Sequence, residues 1–112
     1  MSELSLSTHV LDLDSGRPAD SLFVELFGPD QTTPLVTAWT DADGRIRNWD
    51  RKLPAEAGVY QLVFNAGAWF EARGKSSFYA RIPIAFRVEK TDEHYHVPLL
   101  MNAYGYSTYR GS

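Results

Sequence analysis

Apolar and polar residues alternate along several short stretches of this chain, and that alternation restricts its fold more than any other feature. The clearest example is residues 81–88, where Ile82, Ile84, Phe86 and Val88 fall on one face and Arg81, Pro83, Ala85 and Arg87 on the other. Successive side chains of a β-strand point to opposite faces, so a period of two predicts a strand with one buried face. Such strands bury their apolar faces by packing in sheets.

Turn-forming residues divide the chain into about eight such strands. We expect strands at residues 4–11, 23–27, 34–40, 59–64 and 81–88, a short edge strand at 45–47, and two closing strands within 93–112. Turns are expected at 14–18 and 41–44 and a loop at 48–57, because these segments are polar and contain glycine or proline. Residues 67–74 predict one short helix bracketed by glycines. Many short strands at near-regular spacing indicate an all-β sandwich or barrel.

Length, charge and cysteine content exclude several classes of protein. The 112 residues predict a single domain covering 1–112. A net charge of −3 without a basic patch argues against nucleic-acid binding. The absence of cysteine excludes a disulfide framework, a thiol nucleophile and a cysteine zinc site. No apolar run approaches the roughly 20 residues that cross a bilayer and no secretory signal is visible, so we expect a cytoplasmic protein without a membrane segment.

Three histidines are the first candidates for chemistry near neutral pH, because the unperturbed pKa of imidazole is about 6.5. His94 and His96 are two residues apart and therefore point to the same face of their strand. His9 lies on the face of the first strand opposite Leu4 and Leu6. A structural, hydrogen-bonded role is the simplest interpretation of any one of them. A three-histidine zinc site with an open coordination position is a less favoured alternative.

Arginine and serine side chains near the histidines allow two interpretations each. Arg45 and Arg47 follow an aspartate-rich turn and are either solvated charges or fixed cations that bind an anionic, planar ligand. The same choice applies to Arg110. Ser107 and Ser112 could act as nucleophiles, but no triad spacing or nucleophile-elbow motif supports either of them.

The C-terminal sequence HYHVPLL (residues 94–100), followed by YGYSTYRGS (104–112), resembles the transthyretin-related 5-hydroxyisourate hydrolases. Further similar stretches are residues 6–12, 16–19, 40–45 and 58–64, so the resemblance covers nearly the whole chain. The closing tetrapeptide Tyr-Arg-Gly-Ser is the signature that separates these enzymes from the hormone carrier transthyretin. The resemblance implies an all-β, transthyretin-like sandwich of two four-stranded antiparallel sheets with one short helix. It also implies a homotetramer with active sites in a channel at the dimer–dimer interface.

A reaction and a site are implied by the same resemblance. The reaction is hydrolysis of 5-hydroxyisourate to 2-oxo-4-hydroxy-4-carboxy-5-ureidoimidazoline in urate catabolism, by attack of water on a lactam carbonyl. The catalytic positions of the family match His9, Arg45, His96 and Ser112. One histidine would take a proton from water, while Arg45 would bind the developing oxyanion. The implied substrate-binding residues are Arg45, Tyr109, Arg110 and Ser112, and neither a metal nor another cofactor is required.

Other functions remain as alternatives to the hydrolase. The main one is a transthyretin-like protein that binds a small ligand without catalysis; a zinc hydrolase and a purely structural sandwich domain are the others. His9, Arg45 and His96 favour the enzyme, because a carrier does not need them. Ala80 and Arg81 stand where family members usually have proline and glutamate, which affects the segment after the helix and the assembly more than the catalytic positions.

Overall fold

The computed structural model describes residues 3–112 and contains nine strands and one helix within that range. In chain order the elements are β1 (Ser5–Asp12), β2 (Arg17–Pro18), β3 (Phe23–Phe27), β4 (Val36–Trp39), β5 (Arg45–Ile46), β6 (Gly58–Phe64), α1 (Ala66–Glu71), β7 (Ile82–Val88), β8 (His94–Asn102) and β9 (Gly105–Thr108). Each strand expected from the sequence is present, and β2 lies within a segment expected to be a turn. No helix among the described residues is long and apolar enough to span a bilayer.

The strands form two sheets, which confirms the predicted sandwich with one short helix. The first sheet has four antiparallel strands in the order β4-β3-β6-β7. The second has the order β2-β1-β8-β9, and β5 also pairs with β1. Since β8 occupies one edge of β1 along its whole length, β2 and β5 share the other edge: β2 pairs with residues 11–12 and β5 with residues 8–9. The predicted four-stranded sheet is therefore five-stranded, with two short strands at one edge.

One pairing in the second sheet differs from the antiparallel arrangement expected. Strands β1 and β8 run parallel, with Ser5 opposite His94 and Ser7 opposite His96. A two-residue hairpin requires antiparallel neighbours, but β1 and β8 are separated by the entire first sheet, so no such turn constrains their direction. The parallel pairing places the N-terminal strand and the two histidines of β8 side by side.

The core lies between the two sheets and is built from the inward face of each strand. In β1, buried residues alternate with half-buried or exposed ones, so Leu6, Thr8 and Val10 point inward. In β8, Tyr95, Val97, Leu99 and Met101 are buried. Ser5, Ser7 and His9 consequently lie on the outer face of the second sheet, together with His94 and His96. The outer position predicted for His9 is confirmed.

The helix α1 packs Trp69 and Phe70 into the core beneath the first sheet's loops. It begins at Ala66 and ends at Glu71, slightly before the predicted end. The N–H groups of Gly74 and Lys75 bond to the carbonyls of Glu71 and Phe70 (both 3.0 Å), and Gly74 has a φ of 75°. This is the glycine-closed end that the sequence indicated.

The segment that departs from the family pattern is held in place by contacts of its own. The carbonyl of Ala80 accepts a hydrogen bond from the N–H of Gly67 at 2.8 Å. Arg81 pairs with Glu25 at 3.3 Å on the exposed side of the first sheet. These contacts lie away from the histidines, so the departure leaves the outer face of the second sheet unaffected.

Candidate active site

A polar cavity of about 330 Å³ lies on the outer face of the second sheet, where β1, β5, β8 and the C-terminal residues meet. Its lining residues are mostly polar or cationic: Ser7, Thr8, Arg45, Arg47, His94, His96 and Ser112. We call it the histidine cavity. It contains two guanidinium groups and no carboxylate side chain, so it suits an electron-rich or anionic ligand.

The histidines of β8 are linked to β1 by serine side chains. Ser7 Oγ lies 2.8 Å from His96 Nδ1 and 2.9 Å from His94 Nε2. Ser5 Oγ lies 2.5 Å from His94 Nδ1. These contacts follow from the parallel register, because side chains directly opposite each other on neighbouring strands are close enough to bond.

Arg45 reaches the cavity because a tight turn fixes the start of β5 against β1. In this turn the Asp41 carboxylate accepts hydrogen bonds from the backbone N–H groups of Asp43 and Arg45, both at 2.9 Å. The bond from Arg45 is the largest influence that lowers the pKa of Asp41. The carbonyl of Gly44 then accepts a bond from the N–H of Val10 at 2.7 Å. The result is that Arg45 lies directly opposite His9 in the β1–β5 ladder.

The C-terminal residues enter the site by pairing with β8. The N–H of Gly111 donates to the carbonyl of His96 at 2.8 Å. A Cβ atom at position 111 would clash with the imidazole ring of His96, so glycine allows the backbone to cross that ring. The next residue, Ser112, lines the cavity. The order of the last residues thus places glycine over the His96 ring and Ser112 at the cavity.

The surroundings of His96 favour its neutral form. Burial lowers its pKa from 6.5, and the positive charges of His94, His9 and Arg45 lower it further. Hydrogen bonding with the backbone of Ser7 acts in the opposite direction. Within the described residues, its Nδ1 bonds to Ser7 and no bond to its Nε2 is formed. A neutral imidazole with a free nitrogen can act as a general base.

The predicted residues fall into two groups. Arg45, His96 and Ser112 line the histidine cavity, and His9 is near enough for its charge to affect the pKa of His96. Tyr109 and Arg110 lie elsewhere, beside a separate depression of about 270 Å³ that also touches His96.

Arg110 makes its contacts with the first residues of β8 and with Glu93 before it. Its guanidinium bonds to Glu93 at 3.2 Å and lies 4.5 Å from the centre of the Tyr95 ring. Within one chain, therefore, Tyr109 and Arg110 are not among the residues that line the histidine cavity, although Arg110 bonds to the backbone carbonyl of His94 at 3.3 Å.

Sequence reasoning did not assign a role to Ser7, although a signal was available. Ser7 is two residues from His9 and therefore shares its face. Its contacts with two histidines depend on the β1–β8 register, which the sequence did not reveal. Arg47, considered beside Arg45, does line the cavity.

The zinc alternative lacks the geometry it needs. Among residues 3–112 no group of three or more His, Cys, Asp or Glu side chains is placed to hold a metal ion. Both ring nitrogens of His94 are instead within bonding distance of serine hydroxyls.

Comparison with known proteins links this chain to one family. Residues 6–111 match the sequence profile of the HIUase/Transthyretin family. A 5-hydroxyisourate hydrolase of Salmonella dublin is 46% identical over 110 aligned residues, covering 96% of this chain and 80% of that protein. The structure of Klebsiella pneumoniae 5-hydroxyisourate hydrolase has a TM-score of 0.87 and 38% identity, covering 97% of this chain and 99% of that one. The transthyretin of Sparus aurata has a TM-score of 0.86 but 26% identity, with 97% of each chain covered.

Proposed function

Because the chain belongs to the HIUase/Transthyretin family, we propose that it is a hydrolase that opens 5-hydroxyisourate to 2-oxo-4-hydroxy-4-carboxy-5-ureidoimidazoline. The observation that carries this function is the meeting of Arg45, His96 and Ser112 in one polar cavity with His9 beside them. The cavity supplies a neutral imidazole for proton transfer and guanidinium groups for the oxygens of a planar, electron-rich ring. The identity to a Salmonella dublin hydrolase adds a second, independent line of support.

In the proposed mechanism, His96 is the general base. Its free Nε2 takes a proton from water as the water oxygen bonds to the lactam carbonyl carbon. The carbon–nitrogen bond then breaks, and the leaving nitrogen receives a proton from His96 Nε2. The new carboxyl group ionises and leaves as a carboxylate. His9 holds the attacking water, since it lies two residues from Ser7 on the same outer face.

Arg45 stabilises the negative charge that develops on the lactam oxygen. A fixed guanidinium needs no reorganisation at the moment of reaction, which makes it effective in this role. Arg47 lines the same cavity and adds a second cation. Ser112 orients the substrate from the side opposite β1.

We also propose that the chain assembles as a homotetramer. Large aromatic side chains are exposed near the last strand, including Tyr104, Tyr106 and Tyr109. Aromatic residues are favoured at protein interfaces. The histidine cavity lies open on a sheet face, so a neighbouring chain would be needed to exclude water from it. Tyr109 and Arg110 would complete the substrate site on assembly. A solution mass of one chain by light scattering would argue against this arrangement.

The function is tested with 5-hydroxyisourate generated freshly from urate by urate oxidase. The decay of its absorbance should be much faster with the protein than without it, in buffer that contains a strong chelator. A variant without Ser112 should be slower than the full chain. Decay at the spontaneous rate would overturn the hydrolase and favour a transthyretin-like ligand carrier. Activity that the chelator abolishes would instead indicate metal-dependent hydrolysis.

Catalysis should persist into mildly acidic solution. The general base must be neutral, and burial lowers the pKa of His96 below 6.5. We therefore expect the acidic limb of kcat/KM to have its midpoint below pH 6.5, with a plateau above it, because this limb reports the pKa of the base in the free enzyme. The spontaneous decay is measured and subtracted at each pH, and circular dichroism shows that the protein stays folded. A midpoint above 6.5 would contradict the assignment of His96 as the base.

The same lowered pKa has a consequence for stability. Folding favours the neutral form of His96, so its contribution is fully present above the unfolded value of 6.5. That contribution is lost as the pH falls from 6.5 toward the lower pKa of the folded protein. We therefore expect the contribution of His96 to lower the melting temperature as the pH falls through this window. A melting temperature that rises instead would show that other titrating groups dominate.

A further inference from the structure

A continuous path of hydrogen bonds leads from the base in the cavity to an exposed histidine. His96 Nδ1 contacts Ser7 Oγ at 2.8 Å, and Ser7 Oγ contacts His94 Nε2 at 2.9 Å. The two imidazole rings are nearly parallel, at 18°, with centroids 6.5 Å apart. His94 is exposed, whereas His96 is half-buried. The path therefore connects an enclosed nitrogen to solvent.

A single hydroxyl hydrogen restricts this path to two arrangements. Ser7 can donate to one histidine only and must accept from the other. In the first arrangement His96 Nδ1–H donates to Ser7, which donates to His94 Nε2; the Nε2 of His96 is then free to act as a base. In the second arrangement every bond is reversed, and His96 carries its hydrogen on Nε2, where it can act as an acid.

We propose that His94 is a positioning and proton-relay residue that acts through Ser7 on His96. The inference rests on the proposed hydrolase and assigns a role to a histidine that the mechanism above does not use. After His96 Nε2 takes a proton from water, its Nδ1 proton moves to Ser7 and the Ser7 proton moves to His94 Nε2. His94 then passes its Nδ1 proton to the exposed Ser5 hydroxyl, whose oxygen lies 2.5 Å away, and Ser5 releases its own proton to solvent; the second arrangement results.

The second half of the reaction resets the relay. His96 Nε2–H gives its proton to the leaving nitrogen, the Ser7 proton returns to His96 Nδ1, and the His94 Nε2 proton returns to Ser7. His94 Nδ1 takes the Ser5 proton, and Ser5 takes a proton from solvent. Over the cycle one proton leaves and one enters through His94, and the carboxyl product releases the second proton of water. One imidazole thus serves as base and then as acid while substrate fills the cavity.

Burial and the charges around His96 favour the neutral form of that ring, which must be neutral to take a proton from water. Arg45 and Arg47 face the cavity from β5 and the residue after it, and His9 on β1 is near enough for its charge to lower the pKa of His96. Near the start of β8, the Arg110 guanidinium lies 3.3 Å from the carbonyl of His94 and pairs with Glu93. The Glu93 carboxylate is therefore paired with Arg110. Among the described residues, no bond forms between this carboxylate and the His94 ring.

Substitution of His94 by glutamine tests the relay. Glutamine can still donate a hydrogen bond to Ser7, but it cannot take up and release a proton. We expect His94→Gln to lower kcat about tenfold, which is less than the roughly 10²–10⁴-fold effect of losing a general base. Added imidazole should restore part of the rate lost in His94→Ala, which leaves the exposed ring position empty. Unchanged kcat would overturn the proposal, and so would a loss that imidazole does not restore.

Two variants of Ser7 test whether its hydroxyl carries the path. Ser7→Ala breaks the path and should lower kcat, whereas Ser7→Thr keeps the hydroxyl and should retain most of it. Ser76→Ala, on an exposed loop away from the site, is the matched control. Equal kcat in the alanine and threonine variants of Ser7 would contradict the relay.

A measurement without substrate tests the relay independently of the proposed hydrolase activity. The ¹⁵N shifts of His96 report which ring nitrogen carries hydrogen. They should change in Ser7→Ala and in His94→Gln, because each substitution alters the bond network that selects the tautomer. Unchanged shifts would overturn the relay even if hydrolysis is found. If the wild-type protein does not hydrolyse 5-hydroxyisourate, the function fails while the coupling of the histidines is still measured.

Discussion

Replacing His96 with alanine should lower kcat/KM for 5-hydroxyisourate by about 10²–10⁴-fold, the usual contribution of a well-placed general base. The imidazole has a lowered pKa, a free Nε2 and a Ser7 contact that orients the ring. The fold should change little, because the carbonyl that receives the Gly111 N–H belongs to the backbone. The initial rate of absorbance decay measures the effect.

The control for this variant is Gln61→Ala. Gln61 is also a half-buried, outward-facing strand residue, but it lies on β6 in the other sheet. It should keep nearly all of the activity. His9→Ala should lower kcat/KM almost as much as His96→Ala does if His9 holds the attacking water. Less than a tenfold loss in His96→Ala, with a normal melting temperature, would remove His96 from the role of base.

Gly44→Ala should cost both stability and activity. Gly44 has a φ of 75°, a conformation that costs a residue with a side chain about 1–2 kcal/mol. An added Cβ would also clash with the carbonyl oxygen of Val10, which receives the Ala19 N–H at 2.9 Å. Relief of this clash must move β5 away from β1 and carry Arg45 out of the cavity. We therefore expect a lower free energy of unfolding together with a fall in kcat/KM.

Gly74→Ala isolates the steric part of this effect. Gly74 has the same φ of 75°, but a Cβ there meets no atom within 4 Å. The positive φ lowers the free energy of unfolding of both variants. Only Gly44→Ala is also overpacked, which typically lowers it by about 1–3 kcal/mol more. Urea unfolding should show that difference, and Gly74→Ala should keep full activity. Equal unfolding free energies for the two variants would show that the Gly44 contact does not fix β5.

The parts of the candidate site that depend on alternation along a single strand were predictable from the sequence. The outward positions of His9, His94 and His96 follow from a period of two, and the glycine that closes α1 follows from local backbone rules. The resemblance supplied Arg45 and Ser112, and both line the cavity. Roles for Tyr109 and Arg110 stay predictions, because within one chain they lie beside a different depression.

The sequence by itself determined the class of fold and the face on which each strand residue lies, since alternation and turn chemistry are local. Only the tertiary structure decided which strands became neighbours. The parallel register of β1 and β8 brings Ser7 between two histidines, and the pairing of β5 with β1 brings Arg45 opposite His9. These pairings join segments up to about 90 residues apart. They depend on how two complete sheets bury their inner faces against each other, so no local pattern along a single strand can encode them.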